Sequence, residues 1–240
     1  MNKIALVTGG TSGIGKEIVR SLLLDGNKVI TCYKSDENRA KEVEKEFNDP
    51  NLLIVKCDVS SEEEVVKMYQ EIESKFGKID YLVNNAGTNI DGFIKDYKID
   101  DFKHVIEVNL LGKVIPTKHA YKYMNEGGSI VNIASRLGVK PCAESPAYCA
   151  AAAAIINFTK AAALEFSSKK IRVNSISPSL TITPLSLAGW TEKEIEETRE
   201  NNPLKRLGKP EDIAETCMFL LSEKANYITG ENILVTGGSI

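Results

Sequence analysis

Five residues, Ile4–Thr8, read as a buried strand, and they run directly into Gly9-Gly10-Thr11-Ser12-Gly13-Ile14-Gly15 and then into a helix. No other stretch constrains the fold so tightly. Glycines permit positive φ and let the main chain approach a ligand closely. The helix that follows presents unpaired N–H groups and a positive dipole end, which suit a pyrophosphate. Placed at the first strand-to-helix junction, this turn marks a dinucleotide site, with Gly9, Thr11, Ser12, Gly13, Ile14 and Gly15 around the phosphates.

Short β-type runs alternate with helical patterns along the chain. The candidate strands are Ile4–Thr8, Lys28–Cys32, Leu52–Cys57, Tyr81–Asn84, Ser129–Ile133, Arg172–Ile176 and Asn232–Val235. The candidate helices are Gly13–Leu24, Asp36–Phe47, Ser61–Phe76, Asp100–Met124, Pro146–Ser167 and Pro210–Leu221. This alternation predicts a parallel sheet with helices on both faces, an α/β doubly wound, Rossmann-type fold. At 240 residues, with no low-complexity linker, a single domain with a large apolar core is expected.

Helix 146–167 is apolar around most of its circumference, through Ala150 to Ala154, Ile155, Ile156, Phe158, Ala161 to Ala163, Leu164 and Phe166. Such a helix must be covered on more than one side. One side faces the sheet, and the other is expected to meet a second copy of the chain in a homodimer or homotetramer.

The formal net charge of −3 argues against nucleic acid and acidic membrane surfaces as partners. Cys32, Cys57, Cys142, Cys149 and Cys217 are scattered, odd in number and free of C-x-x-C spacing. A reduced, cytoplasmic protein fits that pattern. The apolar run Ile4–Val7 reads as a strand and not as a signal peptide, and the longest apolar stretch, Ala147 to Ile156, is too short to span a bilayer. His104 and His119 are isolated, read as surface or satisfied residues, and no metal site is expected.

The spacing Thr8-Gly9-x-x-x-Gly13-x-Gly15 resembles the short-chain dehydrogenase/reductase family, and further matches follow in order. Asn84-Asn85-Ala86-Gly87 is similar to the family's motif after the fourth strand, and Cys57-Asp58-Val59 to its adenine-contacting segment. Asn109, Ser135 and Tyr148 stand where the family carries its active-site asparagine, serine and tyrosine; Ile176-Ser177-Pro178 and Ile228-Thr229-Gly230 complete the series. The general resemblance is to 3-oxoacyl-carrier-protein reductases and bacterial secondary-alcohol dehydrogenases. It implies a seven-stranded parallel sheet, a dimer or tetramer, and hydride exchange between a nicotinamide cofactor and a small carbonyl or alcohol substrate. It also implies that Asp58, Val59, Asn85, Ala86, Gly87, Tyr148, Thr181 and Thr183 contact the cofactor.

An acidic residue about 20 positions beyond the glycines holds the adenosine ribose in many dinucleotide folds. Here Cys32-Tyr33-Lys34-Ser35 ends the second strand, with no carboxylate at Tyr33. Lys34 could pair with a 2′-phosphate and Ser35 could donate a hydrogen bond to it, so NADP(H) is favoured, although Asp36 and Glu37 follow closely and NAD(H) stays open.

The resemblance makes Tyr148 the proton donor in ketone reduction, Ser135 the hydrogen-bond partner of the substrate oxygen, and Asn109 the holder of a relay water. The family adds a lysine one helical turn after the tyrosine, whose charge favours the phenolate and which holds the nicotinamide ribose. In this chain that position is Ala152, and Lys160 lies two further turns on, with no other obvious substitute in the sequence. The chain as written is therefore expected to be impaired, and Ala152→Lys to restore activity by about 10²–10⁴. Either a natural protein has kept nucleotide binding and lost catalysis, or a working reductase has had its lysine replaced; retention of Asn109, Ser135 and Tyr148 favours the second.

The segment at about 180–202 is expected to cover the substrate. Leu185, Leu187 and Trp190 are candidates for an apolar wall, Thr191 to Glu194 resembles a capping box, and Arg136 is the basic group nearest Ser135.

Overall fold

Successive side chains of a strand point to opposite faces of its sheet, and in this protein both faces are apolar. The computed structural model describes residues 2–239. Strands β1 (Ile4–Thr8), β2 (Lys28–Tyr33), β3 (Leu52–Lys56), β4 (Ile79–Asn84), β5 (Met124–Ile133), β6 (Arg172–Pro178) and β7 (Asn232–Val235) form one sheet in the order β3-β2-β1-β4-β5-β6-β7. All pairings are parallel. The helices are α1 (Gly13–Leu24), α2 (Glu37–Phe47), α3 (Glu62–Phe76), α4 (Ile99–Ile106), α5 (Gly112–Tyr123), α6 (Pro146–Phe166), α7 (Glu192–Asn201) and α8 (Pro210–Leu221).

Leu6, Leu82 and Ile130 point to one face, into a core closed by Tyr69 and Ile72 of α3, Tyr123 of α5 and Phe166 of α6. Ala5, Val7, Val83 and Val131 point to the other, against Ile18 and Leu22 of α1 and Ile213 and Leu220 of α8. Strands covered on both faces read as continuous apolar runs, which is how they stand in the sequence. The doubly wound fold is as expected. The strand order reverses between β1 and β4, whose paired ends Thr8 and Asn84 define the crevice where such folds bind ligands.

Several sequence expectations shift in detail. Asp36 and Ser61, read as first helical residues, are N-caps whose side chains accept from the N–H of Arg39 (3.0 Å) and Glu64 (3.4 Å). The single helix expected over Asp100–Met124 is instead α4, a π turn over Glu107–Leu111, and α5. β5 begins at Met124 rather than Ser129, because Met124 pairs with Ile79 across a register shift.

Helix α6 buries Ala147, Ala151, Ala152, Ile155, Ala162 and Phe166. Ala150, Ala153, Ala161 and Leu164 share the opposite face and are exposed. With the turn that follows it, the helix runs unbroken over Pro146–Lys169, and by length and composition alone it would suffice to cross a membrane. Counting only the apolar run 147–156 underestimated it. Its inner face packs on β6, and Thr159 accepts a hydrogen bond at 2.9 Å from Asn132 of β5, so it is a core helix of the domain. That bond continues a buried polar chain in which Asn84 Nδ2 donates to both Asn132 Oδ1 (2.8 Å) and Thr117 Oγ1 (2.9 Å). The chain ties β4, β5, α5 and α6 together directly beneath the crevice.

Candidate active site

The glycine turn is held open by hydrogen bonds to its neighbours. Gly9 N–H donates to Cys32 O (3.2 Å), and Gly10 N–H to Thr31 Oγ1 (2.9 Å). Thr8 Oγ1 accepts from the N–H of Asn85 (3.0 Å) and Ala86 (3.1 Å), while Asn85 Nδ2 returns bonds to the carbonyls of Thr8 and Gly9. Gly15 must be glycine here: a Cβ would fall 2.3 Å from Asn85 Nδ2 and 2.4 Å from Gly9 O. Ser12 is the N-cap of α1, its hydroxyl caps no helix N–H, and the first turn carries no acidic residue. An uncapped, positive helix end beneath a tight glycine turn fits a dinucleotide pyrophosphate.

A cleft of about 920 Å³ extends from this turn. It is lined by Gly9, Thr11, Ser12, Gly13 and Ile14, by Tyr33, Lys34 and Ser35, by Asp58 and Val59, and by Asn85, Ala86 and Gly87. Farther along it are Asn109, Ser135, Tyr148, Ala152, Thr181 and Thr183. All the predicted site residues therefore meet in one cavity except Gly15, which is buried behind the turn and serves the packing of α1.

At the adenosine end, Lys34 Nζ lies 2.6 Å from Asp58 Oδ2. Burial pushes the Asp58 carboxyl up, but bonds from Lys34 and Ser60 outweigh it and hold it below the usual carboxylate range. Arg39, which the sequence reading missed, also lines this end and pairs with Asp36 at 3.2 Å.

At the other end the π turn presents Asn109. Such turns recur at functional sites because one extra residue re-aims a side chain. Asn109 Oδ1 accepts from Thr88 N–H and its Nδ2 donates to Thr88 O, both at 2.7 Å. Its amide thus clamps the loop after β4, a holding role more direct than the water contact implied by the resemblance. Ser135 Oγ accepts from Leu137 N–H (3.1 Å). Burial raises the Tyr148 phenol above its ordinary value, while its hydrogen bond with Ser135 pulls it back. Ser135 and Tyr148 thus stand together in the cleft. The turn after Ser135 lies so close to α6 that a Cβ on Gly138 would be 2.6 Å from the carbonyl carbon of Ala152.

Lys113 stands in the same cleft, one helical turn after Asn109. It is 4% exposed, its Nζ donates to Ala86 O at 2.6 Å, and burial lowers its ammonium to about 8. The expectation that, with Lys160 too far away, no other lysine stands near the site is therefore corrected. The available signal was the spacing: Asn109 and Lys113 are four residues apart, hence on one helix face.

Over the cleft, Thr183 Oγ1 bonds Ser186 Oγ at 2.8 Å, and Thr181 Oγ1 donates to Ser179 O at 3.0 Å. Leu185, Trp190 and Arg136 line the cavity as expected, whereas Leu187 does not. His104, expected to lie on the surface, is exposed at the cleft wall, and Cys142 is there too. The capping box at Thr191 and Glu194 is formed and opens α7.

Residues 9–239 match the family model described as Enoyl-(Acyl carrier protein) reductase. The chain is 37% identical over 239 residues to carbonyl reductase family member 4 of Danio rerio, covering 99% of this chain and 98% of that protein. It is 35% identical over 246 residues to the 3-oxoacyl-[acyl-carrier-protein] reductase FabG of Staphylococcus epidermidis, covering 99% of each. Among solved structures, a short-chain dehydrogenase/reductase variant from Serratia marcescens superposes with a TM-score of 0.91 at 29% identity, over 98% of this chain and 97% of that one.

Proposed function

The chain belongs to the short-chain dehydrogenase/reductase family, and from that premise we propose that it interconverts a ketone and a secondary alcohol with a nicotinamide dinucleotide. The observation that carries this reading is that Ser135 and Tyr148 line the same cleft as the glycine turn. The cofactor, when bound, supplies or accepts the hydride. The protein's own groups do the rest. The α1 N-terminus and the glycine turn hold the pyrophosphate. Ser135 donates a hydrogen bond to the substrate oxygen, and Tyr148 gives that oxygen a proton in reduction or takes it back in oxidation. Trp190 and Leu185, exposed on the cleft wall, are the apolar groups available to cover a bound substrate.

A screen of ketones and alcohols, followed by nicotinamide absorbance, tests the reading. Dinucleotide binding without turnover of any substrate would favour the alternative, a non-catalytic nucleotide-binding protein. Whether Ala152 impairs the chain is read in the same screen, from the turnover of Ala152→Lys beside that of the wild-type protein. The reducing environment suited to five unpaired cysteines supports a cytoplasmic location.

For the cofactor we favour NADP(H). Lys34 and Arg39 stand at the adenosine end, and no carboxylate occupies Tyr33. The Lys34–Asp58 pair does not hold Lys34 back, because exposed pairs contribute at most about 1 kcal/mol. Lys34→Ala is expected to weaken NADP(H) about tenfold, the loss of one charge-assisted bond, and to leave NAD(H) unchanged. Calorimetric titration showing equal or tighter NAD(H) binding by the wild-type protein would refute this.

The exposed stripe of Ala150, Ala153, Ala161 and Leu164 on α6 supports self-association, since small side chains permit close helix approach. Sedimentation is expected to show a dimer or tetramer that Leu164→Glu weakens. A monomer at micromolar concentration would contradict it.

A further inference from the structure

Lys113 is a charged group that the fold has removed from water without an ion-pair partner among the described residues. Its Nζ has one acceptor, Ala86 O, so its remaining N–H groups meet none among the described residues. Burying an ammonium this way is costly. Where a protein keeps such a local violation, the compensation is sought in function.

Three placements say what the ammonium serves. Ala86 belongs to the loop at the end of β4, over the crevice where the dinucleotide passes. Lys113 shares its helix face with Asn109, which clamps Thr88 of that same loop. Finally, Lys113 lines one cleft with Tyr148 and Ala152, and α6 packs directly on α5 and on the π turn. The methyl of Ala152 puts no charge on the α6 wall; the buried ammonium of this cleft stands on the α5 wall instead.

We propose that Lys113 supplies from α5 the ammonium that α6 lacks at Ala152: it holds the nicotinamide ribose and acts electrostatically on the Tyr148 hydroxyl. The inference rests on the oxidoreductase reading above. It makes Ala152 neither a lesion nor a sign of lost catalysis. The lysine has changed helix while its charge has stayed in the site.

The experiment compares the wild-type protein with Lys113→Met, Ala152→Lys and the double variant. Calorimetry measures binding of NADP+, NAD+ and ADP, the last lacking the nicotinamide ribose. Turnover is measured across pH, since Asp91, His104, Arg136, Cys142 and Tyr148 also face this cavity. Lys113→Met is expected to weaken the tighter-binding dinucleotide about tenfold and leave ADP unaffected. Its kcat is expected to fall about 10²-fold, with the pH profile displaced. Lys113→Met/Ala152→Lys is expected to recover most of both losses, which a merely structural role for Lys113 would not allow. Ala152→Lys alone is expected to gain little, because the cleft already holds an ammonium.

Wild-type affinity and an unchanged pH profile in Lys113→Met would overturn the proposal. So would a gain of about 10² in Ala152→Lys alone, a result that decides the matter even if Lys113→Met does not fold. If the wild-type protein turns over nothing, the oxidoreductase reading fails, while the comparison of dinucleotide with ADP still decides the role of Lys113.

Discussion

Tyr148→Phe is expected to slow turnover about 10²–10⁴-fold while leaving the fold and dinucleotide affinity near those of the wild-type protein. Removing the hydroxyl removes the proposed proton donor and keeps the ring. That factor corresponds to roughly 3–5 kcal/mol of barrier. The pH dependence follows from the groups around the phenol. Burial holds it above its ordinary value and Ser135 opposes this only in part, so it is protonated at neutral pH. Ketone reduction should therefore be insensitive to loss of the Tyr148 proton near pH 7, and alcohol oxidation, which needs the phenolate, should rise with pH. Steady-state rates in both directions, with circular dichroism of the variant, check this. Retention of more than a tenth of wild-type kcat would remove Tyr148 from the proton-transfer step.

Lys113→Met is expected to stabilise the protein at pH 7 by about 1–3 kcal/mol even as it damages function. The folded ammonium titrates at about 8, below its ordinary value, because burial disfavours the charged form. Between that pH and about 10.4 the unfolded chain binds more protons than the folded one, so wild-type stability rises with pH across this window. Below it the penalty is present in full, on the order of 3 kcal/mol, offset in part by the bond to Ala86. The variant has no such penalty. Its advantage in urea unfolding should be largest at pH 7 and shrink towards pH 10, and saturating dinucleotide should reduce it at pH 7 by stabilising the wild-type protein more. A variant less stable than wild type at pH 7 would show that Lys113 is a structural element.

The first βα unit was legible in full, because its signals are local. The strand run Ile4–Thr8, the glycines that accommodate Asn85, and the helix from Gly13 to Leu24 each follow from adjacent residues. The parallel sheet followed from alternation along the chain, and Asn109, Ser135 and Tyr148 from the family resemblance. The π turn was invisible. An apolar pattern over Asp100–Met124 counts faces, and one extra residue in a turn changes the aim of Asn109 without breaking the pattern. Leu187 and Trp190 also looked equivalent in sequence, yet only Trp190 reaches the cleft.

Position 152 shows where the boundary lies. Sequence alone established that the turn after Tyr148 carries no charge, because helical spacing relates residues of one helix. It had no means of relating α6 to α5, whose register is set by packing across the sheet and by the Thr117–Asn84–Asn132–Thr159 chain beneath the site. That tertiary register brings Lys113, 39 positions before Ala152 in the numbering, into the cavity of Tyr148 and fastens it to Ala86. The sequence by itself determined the fold, the cofactor turn and the hydroxyl pair. Which ammonium shares their cleft was decided by tertiary structure, because a charge acts through distance in space and not through separation along the chain.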